Sequence, residues 1–191
     1  MDDDYYSIDS ILAENQKIQC TFKVDIPEMG HLDGGDERDI KALSKIQLPM
    51  WMAYILIYSN YAGFTVPPPF SNRVKNALKA EPKSVRLSAL VGAGASWYAF
   101  GRIYMRLLSE EGATEMSENL AKTFRDRLAE VIDQAQHFAA LGPVGGAGQS
   151  NDVAAAFREG LDATERDMFT LAQDSARSTK QWYESTDRGR K

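Results

Sequence analysis

Met116-Ser117-Glu118-Asn119-Leu120-Ala121-Lys122-Thr123-Phe124-Arg125-Asp126-Arg127-Leu128, continuing to Phe138, is the stretch that decides the fold. Met116, Leu120, Phe124, Leu128, Val131, Ile132, Ala135 and Phe138 recur by threes and fours, which gathers apolar side chains on one face of an α-helix. That pattern predicts a long helix from about Thr114 to Phe138, stable only when its apolar face is packed on other elements. The same period holds for most of the chain after Phe70. Ser71 opens a helix carrying Val74, Ala77 and Leu78, which ends near Glu81 because Pro82 disfavours helical backbone just before it. A further helix is expected from Ser96 to Leu108, with Trp97, Phe100, Gly101, Tyr104, Leu107 and Leu108 on one face. Gly142-Pro143 and Gly145-Gly146-Ala147-Gly148 read as a linker, and Arg188-Gly189-Arg190-Lys191 as a basic, frayed end. Between them a single helix is expected from Asn151 to Tyr183. Its inner face would carry Val153, Phe157, Leu161, Thr164, Met168, Leu171, Ala172 and Ser175.

Before Phe70 the signals are short and mixed. Ser7 or Asp9 can cap a helical turn through Ala13, and Cys20, Phe22 and Val24 alternate with polar residues as in a half-buried strand. Gly30, Gly34 and Gly35 among Asp33, Asp36, Glu37 and Asp39 mark an acidic turn, and Ile40 to Ile46 is expected to return as a second strand. Leu48-Pro49 then starts a short apolar helix through Tyr58, whose Trp51 is expected to lock this part against the helical part. Phe64-Thr65-Val66 is a brief extended piece stopped by Pro67-Pro68-Pro69. The expected architecture is therefore mainly α, with a small β-rich domain over residues 1–69 and a helical domain over residues 70–191.

Composition removes several classes of function. The 191 residues carry a net charge of −5, a poor match for direct binding to a line of phosphates, so no strong nucleic-acid binding is expected. Met1-Asp2-Asp3-Asp4 places acid where a leader peptide carries base. The apolar run from Met50 to Tyr58 is too short to span a membrane. One cysteine, Cys20, cannot form an internal disulfide and reads as a small buried apolar residue. His31 and His137 have no partners at metal-ligand spacing, so no metal or other cofactor is expected. Val91-Gly92-Ala93-Gly94-Ala95-Ser96-Trp97 imitates the start of a dinucleotide fingerprint. Trp97 stands where the third glycine belongs, however, and no βαβ unit surrounds it, so a flexible helix opening is the better reading. No catalytic constellation is present, and the chain is expected not to be an enzyme.

Two groups of residues remain as candidate contact surfaces. The basic set Arg73, Lys75, Lys79, Lys83 and Arg86 stands out in an acidic chain and is either a partner-contact face or a solvated helix face. The aromatic set Trp51, Tyr54, Tyr58, Tyr61 and Phe64 exceeds what a small N-terminal part needs for its own core; it either packs on the helical part or leaves residues such as Trp51, Tyr54 and Tyr58 to a partner. At ~1.5 Å per residue the last helix would reach roughly 50 Å, longer than a small domain is wide. Its end should overhang and present Phe169, off the inner stripe, with Trp182 and Tyr183 to another subunit.

Several strings in order resemble one family. They are Tyr5-Tyr6-Ser7-Ile8-Asp9-Ser10-Ile11-Leu12, Asp25-Ile26-Pro27-Glu28-Met29-Gly30, Ile46-Gln47-Leu48-Pro49-Met50-Trp51, Ala80-Glu81-Pro82, Ser96-Trp97-Tyr98-Ala99-Phe100-Gly101, and Ala163-Thr164-Glu165-Arg166 through Trp182. Together they resemble the third Psf type of subunit of the GINS complex. The resemblance implies a GINS-type helical bundle preceded by a small B-type domain, and a nuclear, non-catalytic subunit without a cofactor. It also implies three other GINS subunits as partners in a heterotetramer. Through that complex it implies the Mcm helicase ring and a RecJ-like accessory protein, joined in the replicative helicase known as CMG for DNA replication. The alternative from patterning alone is a helical adaptor of another nuclear assembly.

Overall fold

The computed structural model describes residues 6–34, 37–91, 96–141 and 150–188. The acidic start, Gly35 and Asp36, the glycine run 92–95, the linker 142–149 and the basic end 189–191 lie outside these described residues, as do the side chains of Phe138 and Val153. The chain is mostly helical with one small sheet, in agreement with the expected class.

Helix α1 (Ile8–Glu14) begins where the Ser7 hydroxyl accepts the Ser10 N–H, and it buries only Ala13. Strand β1 (Lys17–Phe22) is the middle of a three-stranded antiparallel sheet, flanked by β2 (Lys45–Pro49) and β3 (Ala62–Phe64). Ile18, Cys20 and Phe22 point inward together with Ile46 and Leu48, the period-two burial expected of a sheet with one wet face. Burial in that row pushes the Cys20 thiol up to about 11, so it sits as a neutral apolar residue.

The second strand starts later than the sequence predicts. Ile40 makes only an isolated bridge with Ile26, and Leu43 adopts a left-handed backbone (φ 66°). Leu43 N–H donates to the Phe22 carbonyl while Phe22 N–H donates to Ser44, so the turn at Leu43 delays regular pairing to Lys45. The extended piece near Phe64 likewise pairs as Ala62–Phe64 rather than 64–66.

Helix α2 (Met50–Tyr58) follows Pro49 directly. It is apolar on every side, yet only Met50 and Ala53 are buried. Trp51 is 47% exposed, so it does not lock the two parts together, which corrects the expectation. Phe70 does this instead. Its ring stacks on Tyr104 at 5.1 Å and tilts against Trp97 and Phe100, while Trp97 Nε1–H donates to the Pro69 carbonyl. Phe64 meets Tyr104 edge-on from the sheet side. One apolar core consequently runs without interruption from Ile18 through Phe70 to Leu120.

Helix α3 (Asn72–Ala80) ends before Pro82 as expected, although the Ser71 side chain makes no capping bond. Helix α4 (Trp97–Tyr104) is capped by Ser96, whose hydroxyl accepts the Ala99 N–H, and tightens into a 3-10 turn over Met105–Leu107. Helix α5 (Glu110–Leu141) is the long helix. At Gly101 a Cβ would fall 2.9 Å from the Leu120 methyl carbons, so glycine is what lets α4 approach α5.

The predicted single C-terminal helix is two helices. Helix α6 (Ser150–Glu159) stops at Gly160, and α7 (Ala163–Arg188) restarts after Leu161 and Asp162. Interrupting the helix shifts part of the face after it, while Met168 and Ala172 stay half-buried on the expected side. Leu171, Thr164 and Ser175 are exposed rather than inward, and Phe169 is half-buried with Met168 against Val131, Phe157 and Leu161.

Candidate interaction surfaces

The break at Gly160 is held by buried polar groups. Asp162-Ala163-Thr164-Glu165 forms a capping box: Asp162 Oδ2 accepts the Thr164 N–H, and Glu165 Oε2 accepts the Asp162 N–H in return. The Asp162 carboxylate also reaches a second helix, because its Oδ1 accepts the Trp97 N–H at 2.6 Å and its Oδ2 accepts the Ser96 hydroxyl at 2.8 Å. One carboxylate thus caps both α4 and α7. Burial raises its pKa against the pull of these donors.

Glu165 is in turn gripped by Arg127 of α5. Nε and Nη2 of Arg127 donate to the two Glu165 oxygens at 2.7 and 2.9 Å, and Nη1 donates to the carbonyls of Pro82 and Val85. The guanidinium lies 5.0 Å from the Phe157 ring centroid, and neither charged side chain is more than 2% exposed. Tyr98 O–H donates to Glu165, and burial followed by that carboxylate raises the phenol pKa well above its usual value. This cluster joins α4, α5, α7 and the 82–85 turn. It is an architectural latch, with its charged pair buried between these elements.

Sequence reading missed the latch, though its signals were present. Arg127 sits three residues after Phe124 and four before Val131, so it lies on the inner stripe of α5. Asp162 with Glu165 three residues on has capping-box spacing, and Gly160 just before it is a helix stop.

The candidate interface residues divide into two places. On α2, Trp51, Tyr54, Ile55 and Tyr58 are exposed, with Tyr54 and Tyr58 stacked at 6.2 Å. On α1, Ile8 and Ile11 are exposed as well. At the far end of α7, Trp182 and Tyr183 are 61% and 64% exposed and meet edge-to-face at 4.9 Å. Phe169 does not join them, since it packs on the chain's own second cluster. The 26 residues of α7 span ~39 Å at 1.5 Å per residue, shorter than the single helix expected.

Most of the basic set is occupied internally. Lys75 pairs with Glu115 at 3.2 Å, Lys83 with Glu130 at 2.8 Å, and Arg86 with Glu159 at 2.8 Å. Hydrogen bonding to Glu130 raises the Lys83 pKa, and the Glu130 pKa is lowered in return. Arg73 and Lys79 make no ion pair among the described residues. His31 and His137 are exposed, on a 3-10 turn and on α5. No helix among the described residues is long and apolar enough to cross a membrane.

Two family models match this arrangement of a small sheet domain followed by a latched bundle. Residues 6–58 match the PSF3 N-terminal domain, and residues 69–184 match the GINS complex protein helical bundle domain. The chain belongs to the PSF3 family of GINS proteins. Among curated relatives of the family, the DNA replication complex GINS protein psf3 of Aspergillus fumigatus is 39% identical over 184 residues, covering 93% of this chain and 95% of that one. The protein of the same name from Schizosaccharomyces pombe is 36% identical over 183 residues, covering 96% and 99%. The match to the probable PSF3 of Dictyostelium discoideum is 32% over 132 residues, covering 69% of this chain and 47% of that one.

Proposed function

We propose that this chain is a non-catalytic, nuclear, structural subunit of a heterotetrameric GINS complex. In this reading the complex bridges the Mcm ring and a RecJ-like accessory protein during initiation and elongation of DNA replication. Membership of the PSF3 family supports the assembly. The observation that carries the structural half of the reading is helix α2, which is apolar on all sides but leaves Trp51, Tyr54, Ile55 and Tyr58 exposed. A helix hydrophobic all round belongs in a buried setting, and aromatic residues are favoured anchors of protein interfaces. The Trp182–Tyr183 pair offers a second anchor at the opposite end of the chain.

The test is co-expression of the tagged chain with three other GINS subunits, followed by size-exclusion chromatography. Equal amounts of four subunits in one peak are expected, while the chain alone aggregates because its exposed apolar residues lack cover. Trp51→Glu with Tyr58→Glu, or Trp182→Glu with Tyr183→Glu, should abolish that peak while helicity by circular dichroism is kept. Phe169→Glu is unsuitable, because it would damage the chain's own packing. Recovery of a full tetramer with both double variants would refute the interface assignment.

A further inference from the structure

Beside the latch lies an open cleft of about 430 Å³, between the turn over residues 81–86 and helices α5 and α6. Pockets of ~300–1,000 Å³ hold small ligands or a few side chains. Val85, Ala156 and Phe157 supply its apolar surface. Its walls are already fixed. Arg127 holds the carbonyls of Pro82 and Val85, Ser88 N–H donates to the Gly160 carbonyl, and the Ser88 hydroxyl donates to the Glu159 carbonyl. A Cβ on Gly160 would fall 3.1 Å from Arg86 Cα, so this glycine sets the close approach of one wall to the other. A preformed cleft loses little freedom when it is filled.

The charges around it select the occupant. Lys83 and Arg86 are engaged by Glu130 and Glu159, and Glu81, which also lies in the field of Lys83, makes no ion pair of its own among the described residues. Gln134 donates through Nε2 to Glu130, while its buried Oε1 accepts no hydrogen bond among the described residues. Gln134 Oε1 is closed off from solvent, so the acceptor a partner can reach is the exposed Glu81 carboxylate, and the complement carries a cation. We infer that this cleft docks a partner polypeptide segment carrying an aliphatic side chain next to lysine or arginine. The aliphatic group covers Val85, Ala156 and Phe157. The cation pairs with Glu81. A peptide fits better than a compact ligand because the polar groups lie along the walls and the cleft is open to solvent.

The inference is separate from tetramer formation and is tested on the assembled complex. A random dodecapeptide library displayed on phage is panned against the wild-type complex, and a selected peptide is synthesised with a fluorescent label for anisotropy. Selected peptides should share an aliphatic residue beside Lys or Arg. Their affinity should fall about tenfold or more, equivalent to ~1.4 kcal/mol, for Glu81→Lys, and similarly for Val85→Glu. A tetramer that still elutes intact with these variants keeps the two questions apart. The inference is overturned if no consensus emerges, if selected peptides are acidic, or if binding ignores both substitutions. It is also overturned if Glu81→Lys prevents tetramer assembly, since the cleft would then be an interface between subunits.

Discussion

The sheet region and the helical bundle share one apolar core, and only the bundle adds a buried charged pair to it. The sheet region buries Ile18, Cys20, Phe22, Ile46 and Leu48 in the core that continues through Phe70, and leaves its surplus aromatics outside on α2. The bundle spends its central contact on a charged pair, Arg127 with Glu165, surrounded by Asp162, Ser96 and Tyr98. Apolar burial is non-directional, so it tolerates a helix such as α2 that lacks a unique inner face. A buried bidentate pair is directional and fixes how helices sit relative to one another. The contrast fits a part that offers apolar surface to others joined to a part that holds its own geometry.

The largest effect should come from breaking the latch. Arg127→Ala leaves Glu165 buried without its cation, which typically costs ~3–5 kcal/mol, whereas replacing both partners by apolar residues of similar size costs far less. Thermal melting of the assembled complex should show a large loss for Arg127→Ala and a partial recovery in Arg127→Met with Glu165→Leu, partial because the Pro82 and Val85 carbonyls, the Tyr98 hydroxyl and the Asp162 N–H lose their partners. Equal loss in the single and the double variant would mean that the pair itself, rather than its orphaned charge, holds the bundle.

The junction gives the sharper comparison between the regions. Phe70→Ala removes a ring packed on Trp97, Phe100 and Tyr104, a deletion of the kind that costs ~3–5 kcal/mol. Trp51→Ala, at a half-exposed site, should cost the folded chain only about 0.5 kcal/mol. Limited proteolysis should therefore release the N-terminal part in the first variant and not in the second.

A smaller effect is expected at Asp162. Asp162→Ala uncaps α7 and removes an acceptor from α4, at ~1–2 kcal/mol for a lost cap. Its pH dependence has a definite sign. The folded pKa is raised above the unfolded value near 3.8, so the folded chain holds more protons between the two values. The contribution of this group to stability then declines as pH rises through that window. Asp162→Asn should remove that slope from a series of melts taken upward from pH 3.8.

Much of this was legible in the residues. The stripe of α5 and the helical period after Phe70 were readable because helix periodicity is a local property. So was the alternation around Cys20, and so were the helix start at Pro49 and the stop before Pro82. The candidate residues were partly legible. Trp182 and Tyr183 were expected outside and are exposed, while Phe169 turned inward once the helix broke at Gly160. Lys75, Lys83 and Arg86 read from sequence as a partner face or a solvated helix face, and what sequence did not show is that they pair with Glu115, Glu130 and Glu159 of the same chain, between 40 and 73 residues away.

The sequence by itself determined most of the helical segments, where Pro49 starts one and Pro82 ends another, and to which family the ordered motifs point, but not the break at Gly160. Those features depend on neighbours within a turn or two, and on chain chemistry that needs no fold to be read. Tertiary structure alone decided that Phe70, not Trp51, closes the junction. It alone also brought Arg127, Asp162, Glu165 and Ser96 into one buried network. These outcomes depend on groups from distant parts of the chain meeting in a low-dielectric interior, where an arginine on an apolar stripe becomes affordable only because a carboxylate is waiting there.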